Sequence, residues 1–146
     1  MQNNIIITKL ANNLDIEECF YIRRKVFIES QNISEEIEID GLDDQCDHYI
    51  LKIDGIAAGT SRVRYLDKSA KIQRLAVLDE YRGRGLSKIL MEFIINDIKT
   101  QNIEEIYLSS QSYIQSLYEK FGFKAKGEEY EISGIKHIDM VMKINI

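Results

Sequence analysis

The period of apolar and polar positions changes several times along the chain, and each change marks an element. Residues 5–10 carry the apolar density of a short strand. From Asp15, with Glu18 three residues on as in a capping box, Ile16, Cys19, Phe20, Val26 and Phe27 recur at helical spacing and predict a helix to about Glu29. An acidic stretch follows. Residues 48–53 and 56–65, joined by Asp54-Gly55, read as two strands of a hairpin with an Asp-Gly turn. Residues 71–78 form a third strand, antiparallel to its predecessor across Leu66-Asp67-Lys68-Ser69. After Gly83 and Gly85 the period becomes helical, with Leu86, Ile89, Leu90, Phe93, Ile94 and Ile98 on one face. Residues 106–109 are again strand-like. Ile114, Leu117, Tyr118 and Phe121 predict a short helix closed by Gly122, and residues 123–132 and 136–144 a last antiparallel pair around Ser133-Gly134. Strands on both sides of the helices, connected mostly as hairpins, predict an α+β sandwich with a mixed sheet.

With 146 residues, 45% of them hydrophobic and 29% charged, the chain suits one domain over residues 1–146. At that size a core forms without disulfides or a structural metal. No apolar run exceeds four residues, as at 75–78, far short of the ~20 a membrane-spanning helix needs. The opening Met1-Gln2-Asn3-Asn4 lacks the basic region and apolar stretch of a secretory signal, so a cytoplasmic location is expected. Cys19 and Cys46 fall in no C-x-x-C motif and read as reduced thiols. A net charge of −5 argues against a nucleic-acid partner, which needs a clustered basic surface.

Arg82-Gly83-Arg84-Gly85-Leu86-Ser87 suits an anion: two glycines let backbone amides converge, the helix that follows offers its unpaired amides, and two arginines flank the turn. A Rossmann fingerprint would need a third glycine at Lys88, and a Walker A loop would need to end in Gly-Lys-Ser/Thr. The hexapeptide resembles the Arg/Gln-x-x-Gly-x-Gly/Ala signature of the GNAT superfamily of N-acetyltransferases, departing from it at Ser87. Ile72-Gln73-Arg74-Leu75-Ala76-Val77 is similar to the fourth strand of that family, and Leu117-Tyr118-Glu119-Lys120-Phe121-Gly122-Phe123 to its Leu-Tyr-Glu-Lys-x-Gly-Phe segment, in family order and spacing. In the N-terminal half, Arg23, Val26-Phe27, Gln31, Asp40-Gly41-Leu42-Asp43 and His48 resemble the narrower ElaA-like branch. That branch usually carries Glu-Gln where this chain has Ser30-Gln31.

The resemblance implies a three-layer sandwich with a central mixed, mostly antiparallel sheet flanked by helices. It also implies an N-acetyltransferase that uses acetyl-CoA as acyl donor, moves the acetyl group directly to a small primary amine in a ternary complex, and is compatible with a homodimer. The pyrophosphate of acetyl-CoA would lie on Arg82, Gly83, Arg84, Gly85, Leu86 and Ser87. Its pantetheine arm would lie along Leu75, Ala76 and Val77, with Gln111 where many members place an asparagine. Tyr118 matches the tyrosine that protonates the departing sulfur, although helical period alone makes it a core residue beside Ile114 and Leu117. The alternative is a non-catalytic acyl-CoA-binding sensor module.

The base stays open among Glu29, Asp40, Asp43, His48 and His137, all chemically capable of taking the ammonium proton. No metal is expected, because Cys46 and His48 have no second Cys/His pair. Residues 29–51 hold eight carboxylates and no lysine or arginine. A solvated acidic loop is the plain reading, while a segment bordering the acceptor entrance would create a field favouring a cationic amine.

Overall fold

The computed structural model describes residues 4–10, 16–35, 39–132 and 134–144. Its elements are β1 (Ile5–Leu10), α1 (Ile16–Arg23), β2 (Cys46–Ile53), β3 (Ile56–Leu66), β4 (Ser69–Val77), α2 (Leu86–Lys99), β5 (Glu105–Gln111), α3 (Gln115–Glu119), β6 (Lys124–Ile132) and β7 (Ile135–Lys143). The seven strands make one sheet in the order β1-β2-β3-β4-β5-β7-β6. Only the β4–β5 pair is parallel; the others are antiparallel. This is the mixed, mostly antiparallel sheet the sequence predicts.

Two neighbours on β4 show how the faces are covered. Val77 packs with Leu90, Ile94, Ile106, Leu108, Met140 and Tyr118 in the larger core, whereas Ala76 packs with Ile22 and Val26 in a smaller one. Side chains alternate across a strand, so α2 and α3 cover one face and α1 the other. Each fully buried Leu or Ile of α2 contributes about 1.5–3 kcal/mol. The helix over residues 86–99 forms where its apolar stripe predicts, with Leu86, Leu90, Met91, Ile94, Ile95 and Ile98 buried.

The N-terminal helix departs from expectation. It is α-helical to Arg23 and continues as a wider π-helix over Arg24–Ser30, where the Ser30 hydroxyl donates to the Lys25 carbonyl at 3.0 Å. Its buried positions are Cys19, Ile22, Arg23 and Val26, so a charged residue stands in the inward stripe. The Asp15 cap and Ser133 lie outside the described residues. Ile114 belongs to a 3-10 turn before α3 rather than to the helix. At Gly122 the φ of 103° closes the segment as predicted.

The feature that makes a site is a parting of strands. β4 and β5 pair from Ser69↔Glu105 to Ile72↔Leu108 and no further, although β4 runs on to Val77 and β5 to Gln111. The cause lies on the other side of β4. Between Thr60↔Ala76 and Arg62↔Gln73, β4 holds one residue more than β3, with Arg74 at a φ of +56°. Such a bulge bends the strand that carries it, here away from β5. The Ser61 hydroxyl fastens the bulge by donating to the Gln73 carbonyl at 2.9 Å.

Candidate active site

Beyond Ile72 the β5-facing edge of β4 has no strand partner, so the backbone groups of residues 73–77 include unpaired donors and acceptors beside a wedge-shaped gap. Leu75, Ala76 and Val77 line this stretch, and the side chains of Ala76 and Val77 anchor it in the two cores. At the end of β5, the Gln111 side-chain amide donates to Gln31 Oε1 at 2.9 Å. Gln111 is thus the last residue of β5, beyond the paired stretch, and its amide is bonded to the segment after the π-helix.

The glycine turn lies where β4 leads into α2. Gly83 and Gly85 have φ of +79° and +74°, and a Cβ at either would meet nothing within 4 Å. Gly85 is the N-cap of α2, and no side chain caps that helix. The first-turn amides thus open onto an exposed cradle flanked by Arg82, which pairs with Asp79 at 3.2 Å, and Arg84, whose guanidinium lies over the Tyr81 ring at 5.4 Å. A pyrophosphate fits this donor set: backbone amides, a helix dipole and two cations. Acetyl-CoA at ~100 times its Kd is expected to add about 2.7 kcal/mol to stability, a rise of several degrees in Tm. Gly85→Asp should abolish that rise in a thermal-shift assay while the free protein stays folded, because its Cβ meets nothing within 4 Å and aspartate is among the non-glycine residues least strained at this φ. An undiminished rise would remove the turn from the site.

Tyr118 is 6% exposed and stands edge-on to Phe123, with ring centroids 6.3 Å apart. Burial pushes its phenol up to about 12, so it stays protonated throughout the neutral range. Its hydroxyl makes no hydrogen bond among the described residues, and no fully enclosed polar atom lacks a partner, so the hydroxyl keeps an opening. Buried hydroxyls are normally satisfied. A core tyrosine with an idle, accessible O–H suits a donor waiting for substrate.

The carboxylates of residues 29–51 behave differently from the sequence expectation. Arg62 is fully buried and donates to Asp40 Oδ1 and Oδ2 at 3.0 and 2.6 Å, to Asp43 Oδ1 at 2.9 Å and to Gln73 Oε1 at 3.1 Å. Buried Arg23 donates to Asp43 Oδ1 at 2.7 Å, and Arg74 reaches Asp40 at 3.3 Å. Hydrogen bonding to Arg62 holds the Asp40 carboxyl well below the usual carboxylate range. Burial would raise that of Asp43, but Arg23 and Arg62 outweigh it and keep it low. Glu29 pairs with Lys25, Glu35 with Arg24 and Asp47 with Lys9. Five of the eight carboxylates thus have a cation within ion-pair distance, four of them from another part of the chain, while Glu36 and Glu38 lie outside the described residues.

The same contacts thin the field of bases. Asp40 and Asp43 are committed to arginines. His48 is buried, and its Nε2 lies 2.9 Å from the Asp43 carbonyl. His137 differs: its Nδ1 is 2.8 Å from the Ile135 carbonyl, which only accepts, so in the neutral ring Nδ1 carries the hydrogen and the lone pair is on Nε2. It pairs across strands with Gln111 and stacks on Tyr130. Next to it the Tyr130 hydroxyl donates to Asp139 Oδ1 at 2.5 Å and also meets the Ser109 hydroxyl. Sequence reasoning missed Ser109, Tyr130 and Asp139; only the β5–β7–β6 register brings them together. Arg62 had one signal, an arginine inside the otherwise apolar and small run 57–63.

A family model described as "Acetyltransferase (GNAT) domain" matches residues 15–144. A Bacillus subtilis (strain 168) protein whose name proposes an acetyltransferase is 33% identical over 137 residues, covering 92% of this chain and 93% of that one. Escherichia coli ElaA has a similar fold, with a TM-score of 0.84 at 23% identity over 97% of this chain and 100% of its own. So does an Elizabethkingia anophelis GNAT acetyltransferase solved with acetyl-CoA bound, with a TM-score of 0.77 at 18% identity over 98% and 100%. No described helix is long and apolar enough to cross a membrane.

Proposed function

The chain belongs to the acetyltransferase (GNAT) family, an acyl-CoA-dependent group of enzymes, and we propose that it carries the acetyl group of acetyl-CoA directly to a small primary amine, with Tyr118 as the acid and His137 as the proton acceptor. The observation that carries this reading is the parting of β4 from β5 between the α2 turn and Tyr118. Acetyl-CoA supplies the acyl group and leaves as its thiol. The residues Arg82, Gly83, Arg84, Gly85, Leu86 and Ser87 take the pyrophosphate. The free edge of Leu75, Ala76 and Val77 holds the pantetheine arm and offers an N–H to the thioester oxygen, where negative charge develops.

Protons balance across the two faces. Nε2 of His137, on the face opposite α2, takes the proton that makes the amine a nucleophile; the N–C bond forms as the C–S bond breaks, and the Tyr118 hydroxyl gives its proton to the sulfur. The new amide nitrogen gives up its remaining extra proton to solvent, and solvent returns one proton to Tyr118 and removes one from His137, so one proton is released for each acetyl group transferred. Neither cysteine is placed for a covalent acyl-enzyme: Cys19 is fully buried, and burial raises the Cys46 thiol above its usual range.

Incubation of the protein with acetyl-CoA and a mixture of amines, followed by mass spectrometry, tests the reading. A product heavier by one acetyl group supports it. Acetyl-CoA binding without any acetylated product would favour the sensor module instead. His137→Gln keeps the ring's volume approximately and is expected to lower kcat about 10²-fold with little change in the KM for acetyl-CoA. A folded variant with near wild-type kcat would return the base role to solvent.

A further inference from the structure

On the sheet face opposite α2, α1 and its π-helical extension lie over β2, β3 and β4, and a polar strip over β4, β5 and β7 adjoins the gap. One row of that strip has no role in the acetyl transfer described above. Arg64 of β3 stands directly opposite Lys71 of β4, and Lys71 directly opposite Tyr107 of β5. All three side chains are half-buried, and the Lys71 ammonium lies 5.6 Å from the Tyr107 ring centroid.

Like charges facing each other on adjacent strands repel, and burial sharpens the penalty. One row nearer the gap, Arg62 and Arg74 meet this problem with Asp40 and Asp43. Arg64 and Lys71 do not: among the described residues no carboxylate is within ion-pair distance of either, and the Tyr107 hydroxyl has no hydrogen-bond partner. Burial holds the Lys71 ammonium below its usual range; Asp139 pulls the other way, and Arg64 and Arg74 push with the burial. Two partly desolvated cations and a phenol therefore converge with no acceptor.

We propose that the acceptor amine also carries a carboxylate, and that Arg64, Lys71 and Tyr107 hold it; this rests on the acetyl-transfer reading above. The spacing supports a two-ended substrate. Same-face residues along a strand repeat every ~6.7 Å, so the Tyr107 row lies about that far from Ser109 and twice as far from Gln111. Between the cations and the gap stands the exposed Asp139 carboxylate, paired across strands with Ser109. Its charge suits the ammonium end, and the reach of Lys71 and Arg64 brings the other end within an amine-to-carboxylate separation of about 5–8 Å. That is the span of a linear ω-amino acid. The charge preference is thus opposite in sign to the one the acidic run of residues 29–51 suggests.

Three six-carbon acceptors test it: 6-aminohexanoate, hexylamine and 1,6-diaminohexane, each with acetyl-CoA, followed by CoA release at low ionic strength. The wild-type protein should favour 6-aminohexanoate over both others by at least about tenfold in kcat/KM. Lys71→Met and Arg64→Gln should each erase most of that preference through KM, with kcat on 6-aminohexanoate changing much less. Equal or better use of hexylamine or the diamine by the wild-type protein, or a preference that survives both substitutions, overturns the proposal. A calorimetric titration of 6-aminohexanoate into the acetyl-CoA-saturated protein keeps the two readings apart. Binding that Lys71→Met abolishes, without turnover, would overturn acetyl transfer and leave the carboxylate seat standing. Turnover of all three amines alike would overturn the seat alone, and neither binding nor turnover of 6-aminohexanoate would overturn it as well.

Discussion

Tyr118→Phe is expected to lower kcat by roughly 10²–10⁴-fold while the KM for acetyl-CoA barely moves. The substitution removes one oxygen and keeps the ring that stands edge-on to Phe123, so the packing of α3 on β5 and β7 is preserved. What disappears is a hydroxyl that has no hydrogen-bond partner among the described residues. Deleting an already idle hydroxyl leaves nothing unsatisfied behind, and the Tm should change by a few degrees at most. The alkaline side adds a second check. The phenol titrates near 10 when unfolded and at about 12 when folded, so the folded state favours the protonated form, and this contribution is lost as pH rises from 10 through 12. The wild-type protein should accordingly lose stability over that interval more steeply than Tyr118→Phe, and below pH 10 its turnover should show no descending limb due to this residue. Turnover near the wild-type level in a folded Tyr118→Phe protein would withdraw the acid role.

Features set by neighbours in the chain were legible in the sequence. The Asp54-Gly55 turn has both φ values positive, at 50° and 83°, as the hairpin reading requires. The apolar stripe of α2 and the glycine cradle before it were likewise readable, because spacing alone determines which residues share a face or a turn. The parting of β4 and β5 was not. It follows from an extra residue at Arg74, counted against β3, and register between strands has no signature within either strand. The pairing of the acidic run was hidden for a similar reason. Counted within residues 29–51 it is uncompensated, yet its counter-ions Arg23, Arg62 and Arg74 come from α1, β3 and β4. The sequence contained both Asp40-Gly41-Leu42-Asp43 and Arg62, but only the fold makes them one cluster. The engagement of His137 Nδ1 was hidden in the same way, since which ring nitrogen is engaged depends on where the Ile135 carbonyl lies.

That cluster carries the largest stability effect expected in the molecule. Arg62 is wholly buried, makes four hydrogen bonds, and joins the segment after the π-helix to the bulge of β4 through Asp40, Asp43 and Gln73. Removing one partner of a buried ion cluster leaves the other charges desolvated and unmatched, which costs about 3–5 kcal/mol, far more than the ~0–1 kcal/mol of an exposed pair. Arg62→Met, with a side chain of similar length and no charge, is therefore expected to lose that much in urea unfolding at pH 7 and to lower Tm by about 10 °C or more. Replacing Asp40 and Asp43 by leucine in the same chain should restore part of the loss, because an apolar cluster has no charge to desolvate. Acid separates this account from simple loss of packing. Both aspartates titrate lower in the folded protein than in the unfolded chain, so their contribution is present above the unfolded carboxylate range and is lost as pH falls below about 4. The gap between wild-type and Arg62→Met should close as protonation removes the charges that Arg62 serves. A gap that stays constant from pH 7 into that range would mean that Arg62 acts through its aliphatic bulk, and a loss under 1 kcal/mol at pH 7 would mean that the aspartates find other partners when it is gone.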